Sequence, residues 1–181
     1  MTVWISSDYH LGHLNIIKYC KRPFANVDDM DDAIIANHNA CIKPNDMWYH
    51  NGDFCYGGPG KAIEYLRRLN GQKFMIKGNH DKDLENDTVK PYYMWLKDYY
   101  ELYVQDKDTV KGRQFIVLSH YAMRVWNKSH KLSWQLYGHS HASLPDDANL
   151  LSFDVGVDCH NFKPLSYYDI KAIMSKKNIK T

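Results

Sequence analysis

Histidine, aspartate and asparagine recur beside glycine or serine in five short polar stretches of this 181-residue chain. In order these are Asp8-Tyr9-His10-Leu11-Gly12, Gly52-Asp53, Gly78-Asn79-His80-Asp81, Ser119-His120 and Gly138-His139-Ser140-His141. Imidazole, carboxylate and amide oxygen are donors to divalent cations. With no thiolate among them, the set suits Mn, Fe, Ni, Co or Zn better than a closed structural zinc site, which favours cysteine. In an extended loop, side chains two residues apart point the same way, so Asp8 with His10, and His139 with His141, are each expected to converge. The adjacent glycines let backbone pack close to an ion or a phosphate. Seven candidate ligands (Asp8, His10, Asp53, Asn79, His120, His139 and His141) are too many for one tetrahedral ion and about right for two. Two ions roughly 3.5–4 Å apart require a shared ligand. Asp53, alone on its own loop, is the expected bridge.

Loops that converge need elements to deliver them. Val3–Ser6 is a short apolar run that stops at the first polar loop, a pattern that predicts a buried strand. Met47–His50, Lys73–Ile76, Gln114–Ser119 and Trp134–Tyr137 run in the same way into Asp53, Asn79, His120 and His139. Ligands in open α/β sheets gather where strands end. Leu14–Cys20 is weakly helical. Asp28–Ile42 is a better helix, with acidic residues in its first turn and Met30, Ala33, Ile34, Ala40 and Cys41 approximating one face. Pro59 opens a helix through Leu69, with Ile63, Leu66 and Leu69 inward. Tyr99–Gln105 is a further strand, turned at Lys111-Gly112. A strand pair is expected near Leu150–Val157, and Ser166 caps a last helix to about Met174. No repeat or linker divides residues 1–181, so they read as a single domain.

Taken together, the five blocks resemble the ordered signature of the calcineurin-like metallophosphoesterases: Asp-x-His, Gly-Asp, Gly-Asn-His-Asp, His and Gly-His-x-His. All five are present in order between residues 8 and 141. The resemblance implies an α/β fold of two packed mixed β-sheets flanked by helices, a four-layer sandwich without a cap domain. It implies two divalent transition metal ions, Mn foremost, with Fe, Ni, Co or Zn as alternatives. Asp8, His10, Asp53 and His141 would serve one ion, and Asp53, Asn79, His120 and His139 the other. His80 would be the catalytic histidine, oriented by Asp81. Two such ions make hydroxide available near neutral pH and neutralise phosphoryl oxygens. The hydroxide would attack phosphorus in line, and His80 would give a proton to the departing alkoxide or otherwise stabilise its charge. The expected substrate is a phosphodiester of the nucleotide or cyclic nucleotide class. A phosphomonoesterase or a nuclease with the same centre is the alternative. A non-catalytic scaffold of this fold would be expected to have lost ligands, and none is missing.

Composition narrows the setting. Apolar residues make up 44% and charged residues 24%, as in ordinary soluble globular proteins. With 23 basic and 21 acidic residues the formal charge is +2. That balance, without a basic stripe, argues against long nucleic acid as a partner. The only basic run, Lys176–Lys180, reads as a solvated tail. No stretch approaches 18 apolar residues, and Val3-Trp4-Ile5 is too short for a signal-peptide core. Cys20, Cys41, Cys55 and Cys159 lack Cys-x-x-Cys spacing, which predicts reduced thiols in a cytoplasmic setting.

Some residues outside the blocks invite a role. His13 either approaches substrate from the first loop or caps the helix that follows. Arg124, four residues after His120, either clamps a phosphate bidentately or forms a surface ion pair. Trp126, His38, His50, His130, His160, Cys55 and Cys159 are expected to be structural. The aromatic cluster at Tyr92-Tyr93, Trp95, Tyr99-Tyr100 and Tyr103 is expected to be core.

Overall fold

The structure, a computed structural model, describes residues 1–109 and 111–179. Four helices lie within it: α1 (Leu14–Tyr19), α2 (Val27–Cys41), α3 (Pro59–Arg68) and α4 (Tyr167–Met174). The strands are β1 (Val3–Ser6), β2 (Met47–His50), β3 (Gln72–Ile76), β4 (Trp95–Lys97), β5 (Tyr99–Gln105), β6 (Arg113–Ser119), β7 (Trp134–Tyr137), β8 (Ser152–Asp154) and β9 (Leu165–Ser166).

They form two mixed sheets, ordered β4-β3-β2-β1-β9 and β5-β6-β7-β8. The first is parallel from β1 to β4, with β9 antiparallel on its edge. In the second, β6, β7 and β8 are parallel and β5 is antiparallel. Inward residues of both sheets, including Ile5, Tyr49 and Ile76 from one and Leu102, Ile116 and Leu136 from the other, form one buried cluster closed by Ile170 and Met174 of α4. A second cluster, built around Met30, Ile34, Trp48, Leu66 and Met75, packs α1, α2 and α3 against the outer face of the first sheet. The chain is therefore an α/β fold of two packed mixed sheets with flanking helices, and no cap domain is evident among the described residues. The outer face of the second sheet is covered by the connection from β6 to β7, whose Trp126 packs on Phe115 and Val117. Among the described residues, no helix is long and apolar enough to cross a membrane.

The two sheets meet where their parallel strands end. Ser7 donates to the Val155 carbonyl at 3.2 Å and bridges to Gly156, while Asn51 Nδ2 donates to the Leu136 carbonyl at 2.8 Å. Five loops are thereby held at one end of the sandwich.

Several expectations are corrected. Leu150–Val157 supplies one strand, β8, followed by a 3-10 turn, not a strand pair. The inner face of α2 is Met30, Asp31, Ile34, Ile35 and His38, whereas Ala40 is exposed. Two polar residues can line that face because each is satisfied there. Asp31 accepts the Gly12 amide at 3.0 Å and the Tyr65 hydroxyl at 2.7 Å. His38 lies 2.9 Å from the Tyr9 hydroxyl and 3.0 Å from the Asn70 carbonyl. The basic tail is not simply solvated: Lys177 Nζ folds back onto Asp146 and onto the Asp147 and Ser152 carbonyls. Lys180 lies outside the described residues. Tyr99 and Tyr103 are exposed, although Trp95 and Tyr100 pack inward.

Candidate metal centre

Every one of the five loops reaches the same cleft, but not as extended chain. Asp8, His10, Asp53, His139 and His141 all have positive φ, between 44° and 66°. This left-handed region is uncommon for side chains other than glycine and is retained where the surroundings enforce it. The convergence of Asp8 with His10 and of His139 with His141 thus comes from paired left-handed turns, not from the alternation of an extended segment. Glycine permits the close layering. A Cβ on Gly138 would collide with Ser7 Oγ and Asp8 Oδ2, and one on Gly78 with the Asp53 carboxylate and amide.

The cluster has two lobes. Ligand atoms of Asp8, His10 and His141 lie within 4.8 Å of one another, as do those of Asp53, His120 and His139. Asp53 joins the lobes: its Oδ2 is 3.4 Å from His10 Nε2 and 3.5 Å from His120 Nε2. Asn79 Oδ1 approaches His120 Nε2 at 3.1 Å. All seven sequence-derived candidates therefore meet.

Hydrogen bonds behind the rings set their tautomers. His120 Nδ1 donates to the Asn51 carbonyl at 2.8 Å, which turns Nε2 toward Asp53. His141 Nδ1 donates to Asp158 Oδ2 at 2.7 Å, and its Nε2 faces Asp8 Oδ1 at 3.8 Å. His10 Nε2 is buried without a hydrogen-bond partner among the described residues. An orphaned imidazole nitrogen aimed between two carboxylates is unfavourable unless a cation completes it. The imidazole, carboxylate and amide donors are those of open divalent-metal sites, so the residues fit two such ions.

Electrostatics agrees. Burial pushes Asp8 up to about 7, against the pull of His141 and His120. Burial likewise pushes His10 down to about 2. Asp53 would also be raised by burial, but His120 and His10 hold it below the usual carboxylate range. His141 rises to about 10, because the Asp158 and Cys20 hydrogen bonds outweigh the effect of burial. A cation would restore the ionised carboxylates and the neutral rings.

Asp81 requires a correction. Its carboxylate is fully buried and accepts the amides of Asp53, Phe54 and Gly78, each at 2.8 Å. It ties the second loop to the third, and among the described residues it makes no hydrogen bond to the His80 ring. His80 is exposed, with φ −99° and ψ 2°. Its amide donates to Asp53 Oδ1 at 2.9 Å, and its ring centre is 5.3 Å from that of His10.

His13 faces the cleft. Its Nδ1 is 3.3 Å from His10 Nδ1, and its ring stacks on Tyr56 at 5.1 Å. It occupies the N-cap position of α1 but makes no capping hydrogen bond. Arg124 is exposed, and among the described residues no hydrogen bond or ion pair connects it to the cluster.

Sequence reasoning missed the second tier of the site. Arg22 is buried behind the first loop and grips Asp158 through Nε and Nη2, each at 2.8 Å. It also donates to the Asp8 and Tyr9 carbonyls. Asp158 follows strand β8 with Gly156 two residues before it, only a loose echo of Gly52-Asp53. Arg22 carries no comparable signal.

The likenesses to known proteins bear on the same residues. Residues 1–143 match the family model described as calcineurin-like phosphoesterase. The chain belongs to the calcineurin-like phosphoesterases. That family membership supports metal-dependent hydrolysis of phosphate esters as the general chemistry. The chain is 32% identical to an uncharacterized protein of Methanocaldococcus jannaschii, over 98% of this chain and 93% of that one. It is also similar to the crystal structure of a protein of unknown function from Aquifex aeolicus, with a TM-score of 0.71 and 25% identity. That likeness covers 95% of this chain and 98% of the other. In this chain the family-matched region ends just after His141, so Asp158, which orients that histidine, lies beyond it.

Proposed function

We propose that the chain is a dinuclear phosphodiesterase acting on esters of the nucleotide or cyclic nucleotide class, with Mn²⁺ the favoured ion. The observation that carries this reading is Asp53 Oδ2, which stands 3.4 Å from His10 Nε2 and 3.5 Å from His120 Nε2. One carboxylate oxygen between two ligand lobes is the arrangement a shared bridge requires. Asp8, His10 and His141 would hold one ion, and Asn79, His120 and His139 the other. When bound, the two ions supply Lewis acidity and a nucleophilic water at neutral pH.

The protein's own groups do the rest. Tyr121 and Asn79 border the open side, with the tyrosine hydroxyl 3.4 Å from Asn79 Oδ1. His80 hangs its ring into that opening, where a ring N–H can pass a proton to the departing alkoxide. His13 stands beside it, within reach of a substrate oxygen. Among the described residues, no lysine or arginine is bonded to Asn79, His80, Tyr121 or the His139 ring. A diester, with one negative charge, needs less added positive charge than a dianionic monoester, and this supports the diesterase reading. The four unpaired thiols support a reducing, cytoplasmic setting.

Rates on bis(4-nitrophenyl) phosphate, 4-nitrophenyl phosphate and cyclic nucleotides, across Mn²⁺, Zn²⁺, Ni²⁺ and Co²⁺, test the reading. Faster turnover of the monoester would reverse the substrate preference. No turnover with any ion would refute catalysis.

A further inference from the structure

Although the sequence carries no basic stripe, the fold assembles a basic hollow. Beside the start of β6, Lys111, Arg113, Lys128 and Lys131 surround a cavity of about 420 Å³ whose walls include Tyr103 and Phe115. The cations are braced on the aromatic rings. The Arg113 guanidinium carbon is 4.6 Å from the Tyr103 ring centre. Lys128 Nζ is 4.0 Å from the Phe115 ring centre and donates to the Tyr103 hydroxyl at 2.8 Å. A guanidinium stacked in this way keeps its N–H edge free, in the fork that matches phosphate oxygens.

Among the described residues, none of these four cations forms an ion pair with a carboxylate. The acid on the rim, Asp108, is held by Lys171 Nζ at 2.7 Å. Glu101, on the neighbouring edge strand, accepts from Tyr99 and Asn127. Four clustered positive charges, none of them paired directly with a carboxylate among the described residues, repel one another and favour an anionic ligand.

We propose that this hollow binds a compact phosphate polyanion, a di- or triphosphate either free or carried on a nucleotide, at a site separate from the metal-ligand cluster. Arg113 begins β6 and His120 follows its last residue. A seven-residue strand spans roughly 20 Å, so the two sites lie at opposite ends of the second sheet. The volume falls in the range of small-ligand pockets, and a concave hollow of this size suits a compact anion better than a polymer.

Imidodiphosphate, a diphosphate that resists hydrolysis, is the probe. It is titrated calorimetrically into the full-length chain, first as purified and then after chelation of its cations, with amide NMR shifts mapping the contact. Binding should survive chelation and shift amides around Arg113 and Lys128. Arg113→Gln/Lys128→Gln should weaken it by about tenfold or more, with the amide spectrum and ester hydrolysis otherwise retained. Lys131→Gln, on an exposed turn, should weaken it less and without risk to the fold. Unchanged affinity in both variants would overturn the proposal. So would shifts confined to the loops of Asp8, Asn79 and His139, or binding that disappears with the cations.

Discussion

Asp158 Oδ2 accepts the Nδ1 proton of His141 at 2.7 Å, on a carboxylate that Arg22 clamps with two bonds. Because Arg22 also holds the Asp8 and Tyr9 carbonyls, one buried guanidinium sets the first loop and, through Asp158, the orientation of His141. Asp158→Asn keeps the shape but loses the charge that fixes this tautomer. Cation affinity should fall roughly 10–100-fold, as expected for a group that orients a ligand. Calorimetric titration with Mn²⁺ measures it, and wild-type affinity in the variant would show that His141 is oriented without Asp158.

Asp53 and Asp81 are both buried carboxylates, but they do different work. Asp53 faces the imidazoles, whereas Asp81 faces three backbone amides. Asp53→Asn should therefore lose cation occupancy and nearly all activity, because a neutral amide is a poor bridge. Asp81→Asn places an NH₂ against backbone donors and should cost roughly 1–3 kcal/mol of folding stability. Its folded fraction should retain more activity than Asp53→Asn. Denaturant melts with metal analysis separate the two effects, and identical behaviour in both assays would contradict the division.

How much of this was legible in the sequence follows from how local each signal is. The five strands leading to Asp8, Asp53, Asn79, His120 and His139 are short apolar runs stopped by polar residues, and each forms where expected. The candidate ligand set was legible because the residue types themselves carry the chemistry. The left-handed backbone of Asp8 and His10 was not: it occurs where glycines from a distant segment, Gly138 and Gly156, pack against the Asp8 carboxylate, a contact no local pattern names. Strand β4, only three residues long, exists because β3 offers it an edge. The burial of Asp31 and His38 depends on partners from distant segments, Gly12, Tyr65 and Asn70, that no local pattern names.

His38 gives a pH prediction. Burial pushes it down to about 4, and the fold holds the neutral ring between the Tyr9 hydroxyl and the Asn70 carbonyl. The unfolded chain takes up this proton near pH 6.5 and the folded chain only near 4. Stability from this residue is therefore complete above about pH 6.5 and is lost as pH falls toward 4, by about 3 kcal/mol in all. In His38→Gln, stability measured by urea unfolding should decline less between pH 7 and pH 4.5 than in wild type. Parallel pH profiles would show that His38 does not titrate this way.

The last prediction separates His80 from the ligands. Its backbone amide holds Asp53 Oδ1 at 2.9 Å, while its ring is exposed at the mouth of the cleft. His80→Ala keeps the amide and removes only the ring, so both cations should stay bound. General-acid assistance is typically worth about 10²–10⁴-fold in rate. That loss should appear with alkoxide leaving groups of high pKa and nearly vanish with nitrophenolate, which departs without a proton. His139→Ala removes an imidazole from the Asp53–His120 lobe and should lose metal and every activity together. Metal content with rates across a leaving-group series distinguishes the two. If His80→Ala binds fewer ions, or slows all esters equally, the ring is a ligand or a wall of the cleft and not the acid.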